Sequence, residues 1–174
     1  YNAIEGKKDK DLKTALYQII SNNGFKVVGY SGLWDAYKDT DARPDGKVWD
    51  MYSNTSNFTF VTDQDKGSGG TIEGDKYNRE HSFPQSWFEK ASGDMKSDLF
   101  NVYPTDKLVN NKRGNYPYGE TNGEIYKSDN GFSKLGACSF PGYSGTVFEP
   151  NDQYKGDFAR SYFYIATCYE DVFP

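Results

Sequence analysis

The sequence predicts an α+β fold, with helices and small antiparallel sheets in separate parts of the chain rather than in alternating βαβ units. Three observations carry this. Residues 9–23 and 157–171 repeat apolar side chains at helical spacing, and they lie near opposite ends of the chain. Several short apolar or aromatic runs between them are bounded by Gly, Pro, Asn or Asp, as strands are. Within that middle part, residues 77–113 read as strand, long loop, strand and helix. At 174 residues the chain is expected to be a single domain, 1–174, with enough length for a real core. Aromatics make up 17%, including 15 Tyr and 12 Phe, so that core is expected to be built from rings with polar tips that need partners.

In chain order, Leu12, Leu16, Ile19 and Ile20 define the apolar face of the first helix; Asp9 or Asp11 can cap it and Gly24 stops it. Residues 25–46 are turn-rich, with a short helix at 33–37 and a turn at Arg43-Pro44-Asp45-Gly46. Residues 47–52 and 57–62 read as two strands of a hairpin. Residues 63–76 are glycine-rich and charged and read as an exposed loop. Residues 77–81 are strand-like and end near Pro84, because the residue before proline favours extended geometry. Residues 84–90 can open a short helix with Pro in its first turn. Residues 99–103 are a strand candidate broken at Pro104, and Thr105 or Asp106 can cap a helix that runs to Arg113 and stops at Gly114. Residues 114–147 read as loop and short strand.

The net charge of −5 means that the surface as a whole does not attract a polyanion. Nucleic-acid binding would need a local basic patch or metal ions over an acidic site. No 18-residue apolar run is present, so no membrane partner is expected. The chain begins at Tyr1 without Met and ends at Asp171-Val172-Phe173-Pro174 with no polar tail; it is expected to be a trimmed mature form, and a monomer. Cys138 and Cys168 lack metal-type spacing and can be either one disulfide or two free thiols.

The chemistry concentrates in residues 77–88, YNREHSFPQSWF, and 108–115, LVNNKRGN. His81 is the only histidine, and an unperturbed imidazole titrates near about 6.5, which suits deprotonation of water. Glu80 with Asn110 or Asn111 offers one carboxylate and one amide oxygen. That is a reasonable Mg²⁺ shell if water and phosphate fill the other positions. Arg79, Lys112 and Arg113 are candidates for holding phosphate. Together these are the parts that phosphodiester hydrolysis requires. Each has a plain structural alternative: a packed histidine, amides at a helix end, and cations favoured by the helix dipole. Successive strand residues point to opposite faces, so Glu80 and His81 can share a site only if the strand ends, bulges or twists there.

These segments, with SDLFNVYPTDKLVNNKRGN and FEPNDQYKGDFARSYFYIATCYED, resemble the bacterial endonuclease I family over about residues 47–169. Those proteins are secreted or periplasmic nonspecific nucleases of the His-Me superfamily, with a ββα-metal finger that would fall at about 77–115. The resemblance implies that His81 is the general base. It implies that Glu80 and Asn110 are ligands of Mg²⁺, with Ca²⁺ or Mn²⁺ as substitutes, and that Asn111 is a fallback. It further implies a DNA or RNA substrate, products with 5′-phosphate ends, and a secreted or periplasmic location. Arg113 and Arg160 would support catalysis at the phosphate. Arg160 is expected in the first turn of the last helix, where anions are favoured, or else in an ion pair with an acid such as Glu149. Trp87 reads as a core ring. The reading from a different class is a non-catalytic, aromatic-rich domain that binds extracellular polysaccharide.

Overall fold

In the computed structural model, which describes residues 2–24, 26–88 and 93–173, the fold is α+β. The chain forms two compact units. One comprises Tyr1–Leu33, His81–Val102 and Asp157–Pro174; the other comprises Trp34–Glu80 and Tyr103–Gly156.

Helix α1 (Asp9–Asn22) follows the apolar spacing read from the sequence. Neither expected aspartate caps it. Lys8 occupies the N-cap position without a side-chain bond, while Asp9 and Asp11 sit in the first turn, where their charge suits the helix dipole. Helix α2 (Leu33–Thr40) is longer than expected. Strand β1 (Tyr77–His81) matches its expected span, and helix α3 (Gln85–Phe88) follows Pro84. The expected continuation of α3 toward residue 90 lies outside the described residues.

Strand β2 (Val102–Asp106) sits three residues later than expected and runs through Pro104. Asp98 explains the shift. Its carboxylate accepts from Phe100 N (2.8 Å), and its carbonyl accepts from Asn101 N and Val102 N, so residues 98–101 form a turn. Pro104 is tolerated because β2 pairs only with β1 in a two-stranded sheet and is an edge strand. Ser82 N bonds Asn101 O at one end and Lys107 N bonds Lys76 O at the other, an antiparallel order. Helix α4 (Lys107–Arg113) follows at once.

Strands β3 (Tyr126–Lys127), β4 (Lys134–Ala137) and β5 (Thr146–Glu149) form an antiparallel sheet in that order, with Leu135 opposite both Tyr126 and Phe148. Helix α5 (Asp152–Cys168) starts five residues before the expected 157, because Asn151 Oδ1 accepts from Gln153 N and opens the helix ahead of Gly156.

The hairpin expected at 47–52 and 57–62 does not form. An isolated bridge joins Ala42 and Val48, and Val48 N bonds Phe58 O. Side chains take the backbone groups that a ladder would have used: Asp50 accepts from Tyr52 N, Ser53 from Thr55 N and Asp63 from Thr59 N.

Each unit has its own core. In the first, Phe88, Met95, Ile165, Cys168 and Tyr169 pack with Ile20 and Phe83. In the second, Val48, Phe58 and Tyr77 pack with Trp34 and Phe60. Full burial of one such side chain stabilises by about 1.5–3 kcal/mol. Cys138 and Cys168 are free thiols, and burial pushes the Cys168 thiol up to about 11.

Candidate active site

Helix α4 starts where it does because Asp106 holds its first turn. One carboxylate oxygen accepts from Val109 N (3.0 Å), and the other accepts from Gly74 N (2.7 Å). Gly114, at φ 57°, ends the helix, and its N–H returns to Asn110 O. Asn110 and Arg113, three residues apart, share a helix face, as Asn78 and Glu80 share a strand face. The two faces meet. Asn110 Nδ2 donates to Asn78 Oδ1 (2.8 Å), and Arg113 Nη1 donates to Glu80 Oε1 (2.5 Å). The second unit therefore places Glu80 and Asn110 along one strand–helix interface.

Glu80 is buried, and its Oε1 also accepts from the Tyr52 hydroxyl (2.8 Å). Tyr118 brings its hydroxyl within 2.6 Å of that of Tyr52, and the Arg113 guanidinium lies 4.7 Å from the Tyr118 ring. Burial, first, and then the Glu80 charge raise Tyr52 well above the ordinary phenol value, so it remains a donor to the carboxylate. Arg113 is fully buried and paired, and thus serves Glu80 instead of presenting an open cation. Tyr52 and Tyr118 were missed in the sequence. They lie 28 residues before and 38 after Glu80, and no local pattern links them to it.

The first unit holds His81. The residue is 8% exposed, and its ring stacks on Tyr30, with centroids 6.0 Å apart at 26°. Nε2 lies 3.1 Å from Lys96 O, and Gln85 Nε2 lies 3.2 Å from Nδ1. A carbonyl only accepts, so Nε2 carries the proton. Nδ1 is then the basic nitrogen and accepts from the Gln85 amide. Gln85 was also missed, although its position four residues after His81, just past a proline, was a usable signal. Strand β1 ends at His81. The division between the two units falls between Glu80 and His81.

The other candidates are placed as follows. The Arg79 guanidinium lies 4.4 Å from the Trp34 ring centroid, and the Lys112 ammonium lies 5.6 Å from that of Tyr126. Asn111 is exposed. Arg160 sits within α5 instead of in its first turn, its side chain is 73% exposed, and it pairs with Asp157 at 2.5 Å. Glu149, suggested as its partner, is engaged by Lys155 (2.9 Å) and Lys134 (3.3 Å). Trp87 sits edge-on to Phe83 and Tyr162 and is partly exposed, more open than a core ring. Among the described residues no group of three His, Cys, Asp or Glu could hold a metal ion. The Glu80 carboxylate and the Asn110 amide oxygen are donors of the kind Mg²⁺ takes, an ion that needs few protein ligands and keeps several waters. The Asn110 Nδ2 bond to Asn78 commits the amide nitrogen and leaves Oδ1 as the oxygen donor. No described helix is long and apolar enough to cross a membrane.

The chain is 35% identical over its whole length to an extracellular ribonuclease of Bacillus amyloliquefaciens and 34% to one of Bacillus subtilis (strain 168). In both cases it spans 55% of the relative's length, so it corresponds to about half of those proteins. It is 29% identical over 48% of its length to Endonuclease-1 of Buchnera aphidicola, covering 31% of that protein. No solved structure matches. The family model for Endonuclease I matches residues 9–174, and the chain belongs to that family.

Proposed function

We propose that the chain is a nuclease domain that hydrolyses phosphodiester bonds of DNA and RNA with Mg²⁺, leaving 5′-phosphate ends, and that it acts outside the cytoplasm. The observation that carries this is the fixed tautomer of His81: the Lys96 carbonyl holds Nε2–H, which leaves Nδ1 to take a proton. The family and the names of the extracellular ribonucleases support the substrate class and the secreted location.

His81 accepts a proton at Nδ1 from the attacking water as the new P–O bond forms and the P–O3′ bond breaks. Gln85 must yield Nδ1 to that water, and its exposed amide remains beside it to orient it. Glu80 and Asn110 would hold the cation. When bound, it neutralises phosphoryl charge and stabilises the departing 3′-oxygen. Tyr52 and Arg113 hold the Glu80 carboxylate in one orientation, as supporting bonds do for metal ligands. Arg160 and Lys112, both at the surface, can contact flanking phosphates, which gives little base preference.

The test is incubation with supercoiled plasmid and with structured RNA, in Mg²⁺ and then in excess EDTA. Nicking that EDTA abolishes is expected. No cleavage of either polymer, or cleavage indifferent to EDTA, would overturn the reading.

A further inference from the structure

We infer that a cleft in the second unit, walled by Trp49, Phe132 and Tyr154, binds a single unpaired nucleobase of the substrate strand. The inference rests on the nuclease reading and adds a base-binding subsite to it.

The cleft has a volume of about 290 Å³, at the low end for small-molecule sites and suited to one base with its sugar. Trp49 is 43% exposed between Val48 and Asp50, both buried, so the chain holds a large ring open at a point where its neighbours are fixed. The ring is also pinned. Trp49 Nε1 donates to the Tyr154 hydroxyl (2.8 Å), and Trp49 N donates to Asp41 O (2.7 Å). Phe132 meets Tyr154 edge-on, with centroids 6.2 Å apart at 66°. Aromatic walls tied at their edges lose little freedom when a flat ligand stacks on them.

The polar lining suits a base more than a phosphate. Arg43, the cation of the cleft, already bonds Asp45, Asn57 and Ser56 O, so its charge is matched within the protein. Asn54 Oδ1 accepts from Asn130 Nδ2 (3.2 Å), which orients the Asn54 amide NH₂ as the remaining donor. Gln153, exposed at the start of α5, adds an amide donor and acceptor. Amides that offer both roles match the edge of a base.

The test measures affinity in EDTA, where no cleavage intervenes, for a fluorescein-labelled hexathymidylate with phosphorothioate linkages. Parallel arms use an abasic oligomer of the same length and charge, and a soluble glucan. Trp49→Ala and Gln153→Ala are expected to weaken hexathymidylate binding, the first by about tenfold or more, the scale of losing one stacked base. The abasic oligomer is expected to bind more weakly, and its affinity should not change in either variant. Trp49→Phe, which keeps a ring and guards against misfolding of the alanine variant, should restore most of the affinity. Unchanged affinity in Trp49→Ala, equal binding of the abasic oligomer, or competition by the glucan through Trp49 would overturn the inference. A protein that cleaves plasmid but shows no Trp49 dependence would lose this subsite and keep the nuclease reading. A protein that shows Trp49-dependent base binding without cleavage would lose the nuclease reading and keep the subsite.

Discussion

His81 lies between a carbonyl at one ring nitrogen and an amide at the other, and that asymmetry sets its expected behaviour. His81→Ala should lower kcat by about 10²–10⁴-fold, the usual contribution of a general base, while the circular dichroism spectrum is retained. Near-wild-type turnover would remove His81 as the base. Gln85→Ala acts one step further out and should lower kcat by about tenfold with KM little changed, since the amide orients water instead of holding substrate. A shift confined to KM would place Gln85 in substrate binding instead. Glu80 and Arg113 form a buried pair, and removing one partner strands the other charge. Arg113→Met should destabilise by about 3–5 kcal/mol in urea unfolding, and the double variant with Glu80→Gln should recover much of that loss. A fully additive double variant would show that the two side chains do not act as a unit.

At the scale of elements, the start of α4 directly after β2 is set by one residue at their junction. Asp106 is the last residue of β2, the cap of α4 and the acceptor for Gly74 N. Asp106→Ala removes a cap, worth about 1 kcal/mol, and leaves the buried Val109 N–H and the Gly74 N–H without their acceptor. The expected loss is about 2 kcal/mol in urea unfolding. Nuclease activity should fall further than stability explains, because Asn110 rides on the helix that Asp106 positions. The strand–loop–strand–helix order was legible in the sequence because each element has a local signal: a run of extended residues, a proline, an Asx cap and a glycine stop. The shifted β2 and the absent hairpin were not legible. There the deciding bonds join side chains to nearby backbone, from Asp98 and Asp50, and these compete with strand pairing without altering the apolar pattern.

At the scale of the whole molecule, buried carboxylates give stability a pH dependence. Burial raises Asp50 from 3.8 to about 7 and Asp41 to about 6. A folded chain that keeps a proton the unfolded chain has released gains stability at low pH. That contribution is complete below about pH 4 and is lost as pH rises through about 6 to 7. Asp65 lies on the other side of the balance, with its carboxyl below the ordinary value; burial opposes that lowering, but the Lys107 bond and charge outweigh it. Its contribution is therefore lost at acid pH, below the range where Asp50 acts. The urea midpoint should fall between pH 4 and 7, with a slope of at most about 1.4 kcal/mol per pH unit for each such proton. Asp50→Asn, which cannot ionise, should flatten that slope. An unchanged profile would mean that Asp50 titrates like an exposed acid. The net charge of −5 sets a further constraint at this scale: under the proposed function, association with a polyanion would have to rely on local Lys and Arg or on a bound cation.

The sequence by itself determined the helices with clean apolar periodicity, the capped helix after Pro104, and the short list of residues able to do acid–base and cation chemistry. These depend on neighbours within a few positions, where propensity and capping act. Tertiary structure alone decided that Arg113 is buried against Glu80 instead of open to a phosphate, that Tyr52 and Tyr118 close around that carboxylate, and that the Lys96 carbonyl selects the tautomer of His81. Those choices are made by contacts between residues 15 to 66 positions apart, where burial and hydrogen-bond completion outweigh any local preference.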